Sequence, residues 1–107
     1  RLRRAVRVLM LSGEVSGEAA AHMLELHRRT LNRRLKAQGT TFQAVLDDVR
    51  AEVARQLLEG TRASLDDVAS TLGYASVSPF MRAFRRWTGM TPGRWRRDTA
   101  SRVTSSA

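Results

Sequence analysis

The sequence predicts an all-α fold of about seven short helices, on three observations. No segment alternates apolar and polar residues with period two over a useful length. Apolar residues instead recur three and four apart in successive stretches of seven to seventeen residues. Glycines and capping residues punctuate those stretches at regular intervals.

The elements follow in order. Val6, Leu9 and Met10 predict a first helix over Leu2–Leu11, with Gly13 just beyond to stop it. Ser16 is a cap for a second, alanine-rich helix that ends near Leu24, with Glu18 in its first turn. Leu31 and Leu35 define the buried side of a third helix over Arg28–Ala37, followed by Gly39. Thr40-Thr41-Phe42-Gln43 reads as a capping box for a long fourth helix, Phe42–Leu58, and Gly60 ends it. Ser64, placed to accept from the backbone N–H of Asp67, caps a fifth helix that reaches Leu72. Phe80 and Phe84 mark a sixth helix over Val77–Thr88, with Pro79 tolerated in its first turn. Thr91-Pro92 starts a short seventh helix carrying Trp95, and Thr99–Ala107 reads as a frayed, flexible tail.

Composition narrows the chemistry. The chain has 107 residues, which suffices for one domain or two very small ones. It has no cysteine, which excludes a disulfide framework, a thiolate zinc site and a cysteine nucleophile. His22 and His27 are too few for a metal cluster, and no nucleophile, base and oxyanion site assembles. The sequence therefore predicts no enzyme, no metal, no cofactor and no membrane span. A cytoplasmic location is expected.

Charge is the informative term. The net is +9, and the positive residues fall in two blocks. Residues 27–39 hold Arg28, Arg29, Arg33, Arg34 and Lys36 with no acid. Residues 71–107 hold seven arginines against Asp98 alone, whereas residues 40–70 carry six acids against three arginines. Two such blocks suit a polyanion, because each neutralised phosphate releases counterions. A solvated basic surface is the plainer reading of composition by itself.

The two halves of the chain also repeat. Ala21-x-x-Leu24, Leu31-x-x-x-Leu35 and Gly39-Thr40-Thr41 align with Ala69-x-x-Leu72, Phe80-x-x-x-Phe84 and Gly89-Met90-Thr91. In each copy a short helix with a small residue is followed by a tight turn and a strongly basic helix. That is how a helix-turn-helix is assembled: the first helix supports and the second enters the major groove. Arg33 and Arg82 recur two residues past the apolar anchors Leu31 and Phe80, and therefore point away from the core.

On these motifs the sequence resembles the AraC/XylS transcription regulators. The second repeat carries the likeness most strongly, in Ser64-Leu65-Asp66-Asp67-Val68-Ala69, Leu72-Gly73-Tyr74, Ser78-x-Phe80-x-Arg82-Ala83-Phe84-Arg85-Arg86 and Gly89-Met90-Thr91-Pro92. The first repeat follows in Arg29-Thr30-Leu31-x-Arg33-Arg34-Leu35 and Gly39-Thr40-Thr41-Phe42. The resemblance implies two helix-turn-helix (homeodomain-like) subdomains, residues 1–40 and 60–98, joined by a linker helix over 41–59. It further implies a fragment of a longer regulator, preceded by a domain that dimerises or senses a small-molecule effector. Two places depart from the pattern: Glu25 and His27 stand where the first turn usually has Gly and, two positions on, Ser.

The resemblance and the helical spacing together nominate the contacts. Arg29, Asn32 and Arg33 of the third helix, and Ser78 and Arg82 of the sixth, are candidates for base edges. Arginine suits guanine O6 and N7, and asparagine suits adenine. Arg28, Arg34, Lys36, Arg85, Arg86, Arg96 and Arg97 are candidates for phosphates, as are the helix starts at Thr41 and Thr91. A solvated face is the alternative for Arg29 and Asn32, an ion pair with the linker helix for Arg82, and simple capping for the threonines. Leu31, Leu35, Phe80, Phe84, Trp87 and Trp95 read as core. The expected partner is double-stranded DNA at a bacterial promoter, read in two successive major grooves; the acidic stretch reads as the solvent side of the linker helix, with a contact to RNA polymerase as the alternative. Alternatives are a non-specific nucleic-acid binder, a DNA reader attached to an enzyme outside these residues, and a helical protein-interaction module.

Overall fold

The computed structural model describes residues 1–106, with side chains described through Arg102; Ala107 lies outside the described residues. All regular structure among them is helical: α1 (Leu2–Ser12), α2 (Gly17–Met23), α3 (Arg28–Ala37), α4 (Phe42–Gly60), α5 (Leu65–Thr71), α6 (Val77–Thr88) and α7 (Pro92–Ser106). None of them is long and apolar enough to cross a membrane.

The chain forms two compact units, Arg1–Arg50 and Ala51–Ala107. The boundary between them falls within α4, the helix expected as the linker. In the first unit α1 packs on α2 and α2 on α3. Val6, Leu9 and Met10 of α1, Ala20 and Ala21 of α2, Leu31 and Leu35 of α3, and Phe42, Leu46 and Val49 of α4 are buried. In the second unit α5 packs on α6 and α6 on α7. Its core joins Ala54 and Leu58 of α4 to Val68 and Ala69 of α5, Leu72, and Phe80, Ala83 and Phe84 of α6.

The second core is the aromatic one. The Phe84 ring meets Phe80, Trp87 and Trp95 edge-on, with centroids 5.9, 6.4 and 5.6 Å away. Pairs of this geometry stabilise beyond their buried area. Both tryptophans are half-buried rather than fully enclosed. Trp95 keeps its polar edge outward, donating from Nε1 to Glu59 Oε2 at 2.9 Å.

The caps set where the helices begin. Ser16 accepts from the Ala19 N–H and Ser64 from the Asp67 N–H, each at 3.0 Å, satisfying first-turn donors. The Thr40–Gln43 box does not form. Thr41 is the cap instead, accepting from the Ala44 N–H at 3.1 Å, and Gln43 turns along α4 to donate to Asp47. Two further differences lie at helix ends. α4 continues through Gly60, with the Thr61 N–H bonded back to the Leu57 carbonyl. α7 is long rather than short: the stretch from Thr99 expected as a tail is helical to Ser106, extending a helix already anchored at Pro92, Trp95 and Arg96.

Candidate nucleic-acid interface

Each unit contains a helix-turn-helix, and the two turns are built alike. In the first, the Glu25 N–H bonds to the His22 carbonyl and the Leu26 N–H to the Ala21 carbonyl. In the second, Gly73 bonds to Ser70 and Tyr74 to Ala69 in the same pattern. Both are Schellman closures, which require the residue after the helix cap to be left-handed. Gly73 meets this at φ +90°, which costs glycine little. Glu25 meets it at φ +57°, the one positive φ of a non-glycine residue described. The departure from glycine at this position thus leaves the turn intact and places the strain on Glu25.

The turn delivers α3 and α6 with one face buried and the other exposed. Leu31 and Leu35 anchor α3, and Phe80, Ala83 and Phe84 anchor α6. Arg29, Asn32, Arg33, Arg34 and Lys36 are exposed on α3, and Ser78, Arg82, Arg85 and Arg86 on α6. Neither helix contains an acid. Among the described residues none of these cations is in an ion pair, Arg82 included. Alignment of the anchors gives the matched pairs Arg29 with Ser78, Asn32 with Met81, Arg33 with Arg82 and Lys36 with Arg85. His27 and Ser76 both precede their helices without a side-chain cap bond, so His27 in the place of serine removes no cap that its counterpart has.

Two of the phosphate candidates are otherwise engaged. Arg96 is half-buried, and its guanidinium donates to the Leu58, Ala63 and Leu57 carbonyls at 3.1, 2.6 and 3.3 Å. It satisfies the Leu58 carbonyl at the end of α4 and the Ala63 carbonyl in the loop beyond, and adds to the bond that the Leu57 carbonyl already accepts from the Thr61 N–H. Arg28 is also half-buried, with its guanidinium 5.1 Å from the Phe42 ring centroid and 3.9 Å from Glu18. It lies against Gly17, filling space where a Cβ would meet the guanidinium. Both arginines belong to packing rather than to the free cationic face. The partners lie 10 to 39 residues away in the chain, so helical spacing carries no sign of them. Of the remaining candidates, Arg97 is exposed, and Thr91 caps α7 by accepting from the Arg94 N–H at 3.3 Å. Met81, exposed on α6, is a residue that charge and polarity do not single out.

A family described as a helix-turn-helix domain matches residues 20–98. A structure from Chromobacterium violaceum, described as a transcriptional regulator of AraC-type DNA-binding domain proteins, is similar with a TM-score of 0.76 and 28% identity, covering 92% of each chain. The chain belongs to the AraC-type helix-turn-helix family. This AraC-type domain is 47% identical over 79 residues to the ornithine utilization regulator of Pseudomonas aeruginosa, covering 74% of this chain and 23% of that protein. It is similar also to the DNA-binding domain of the global transcriptional factor AdpA solved with a target DNA, with a TM-score of 0.76 and 28% identity over 94% of each chain. The chain thus spans about a quarter of the length of such curated relatives.

Proposed function

We propose that this AraC-type domain binds duplex DNA sequence-specifically as the reading part of a bacterial transcription regulator, acting in the cytoplasm. The observation that carries the reading is the repeated one. Each unit ends a short helix in a Schellman turn and follows it with a helix whose exposed face is cationic and free of acids. The similarity to an AraC-type domain solved on its target DNA supports the same partner here.

In this reading α3 and α6 enter two successive major grooves, about 34 Å apart along the duplex. Arg29, Asn32 and Arg33 contact base edges in one groove, and Arg82 with Ser78 in the other. Arg34, Lys36, Arg85, Arg86 and Arg97 contact phosphates and set the register, with the first turns of α4 and α7 at Thr41 and Thr91 as further phosphate seats. Five neutralised phosphates correspond to a slope of about −4.5 in log K against log salt, and so to roughly 500-fold weaker binding at 200 mM than at 50 mM. An effector acts only through a region beyond this domain.

Titration of the domain against a duplex selected from a random pool, and against its scrambled version at the same salt, tests the proposal. Binding at least a hundredfold tighter to the selected duplex is expected. Equal affinity would instead favour a non-specific nucleic-acid binder.

A further inference from the structure

Met81 departs from the chemistry of the face it occupies. It is an exposed methionine on α6, 37% accessible, in a helix where Phe80, Ala83 and Phe84 are buried in the core and Val77 and Trp87 are half-buried. Its neighbours on the surface are Ser78 one turn before, Arg85 one turn after, and Arg82 beside it in the chain. The position is the register counterpart of Asn32 on α3, whose side chain suits adenine. The two helices therefore present the same frame with different readers at two of its positions: arginine against serine at 29 and 78, and an amide against an unbranched thioether at 32 and 81.

In the major groove only one base offers an apolar group, the C5-methyl of thymine. An unbranched, polarisable side chain adapts to a small methyl without needing one fixed geometry. Arg82 follows Met81 directly, so the bases they reach lie in the same or adjacent base pairs. We infer that Met81 reads the C5-methyl of a thymine next to the guanine contacted by Arg82. The second half of the operator is then specified partly by shape and apolar contact, and the first half by hydrogen bonds alone. This inference rests on the proposed DNA-reading function and names a specificity-determining residue for it.

Deoxyuridine lacks only that methyl, and it isolates the contact. In a duplex selected by the domain, each thymine of the second block is replaced in turn by deoxyuridine, and the affinities of the native protein, Met81→Ala and Met81→Asn are measured. One replacement is expected to weaken native binding about fourfold, the worth of one buried methyl. Met81→Ala, an exposed change that leaves the core intact, is expected to show no loss at that same replacement. Met81→Asn is expected to shift the preference at that base pair towards adenine. Methyl sensitivity of equal size in the native protein and Met81→Ala, or no sensitive thymine in the block, would overturn the inference. Either outcome leaves discrimination between selected and scrambled duplexes standing, whereas loss of that discrimination would sink the DNA-reading function itself.

Discussion

Replacing Glu25 by glycine should stabilise the first unit, and the size of the effect follows from its backbone. Glu25 holds φ +57° so that the Leu26 N–H reaches the Ala21 carbonyl at 2.8 Å. The left-handed conformation costs an L-residue about 1–2 kcal/mol. Glycine removes that cost but brings about 0.4–1 kcal/mol of extra chain entropy in the unfolded state. The net gain is then about 0.5–1 kcal/mol, a rise of roughly 3–6 °C in the midpoint of thermal unfolding. Calorimetry or circular dichroism at fixed pH and salt reads this directly. Glu25→Ala is the control: it removes the carboxylate but keeps the Cβ, so the strain stays and the midpoint should not rise. Gly73→Ala is the converse, imposing on the second turn at φ +90° a penalty of similar size. If Glu25→Gly and Glu25→Ala were to raise the midpoint equally, the gain would come from charge, and the argument from backbone strain would be wrong.

Other outcomes follow from the same geometry. Arg96→Gln leaves the Leu58 and Ala63 carbonyls short of donors and should cost about 1.5–3 kcal/mol of stability, the range for charged hydrogen bonds, while leaving the salt slope of DNA binding unchanged. Arg85→Gln should do the reverse: unfolding is unaffected, and the slope of log K against log salt falls in magnitude by about 0.9. Alanine at Arg33 or Arg82 should weaken the selected duplex by about 1–3 kcal/mol and relax the preference at one base pair, measured by competition with single-base variants. Phe84→Ala opens the centre of the aromatic cluster and should cost about 3–5 kcal/mol in urea unfolding.

What the sequence makes legible is what local chemistry decides. The bounds of α3 and α6 follow from leucine and phenylalanine pairs four apart, and Ser16 and Ser64 cap where side-chain reach demands. The repeat is visible because both helices carry the same small, buried residue three positions before the C-cap, Ala21 before Leu24 and Ala69 before Leu72. Features set at a distance are not visible. Arg96 reads as one more surface cation until the fold brings the Leu57, Leu58 and Ala63 carbonyls to it. Arg28 reads likewise until Gly17 and Phe42 make room for it and a surface beneath it. At Glu25 local preference opposes the left-handed turn, and the packing on either side overrides it. At Thr40–Gln43 two overlapping caps compete, and the one that starts α4 at Phe42 prevails.

Footprinting the domain on a duplex it selects shows whether two helices read two grooves. Protection is expected in two blocks centred about one helical turn apart on one face of the DNA, with Arg33→Ala weakening one block and Arg82→Ala the other. Protection confined to a single block, weakened by only one of these substitutions, would contradict it.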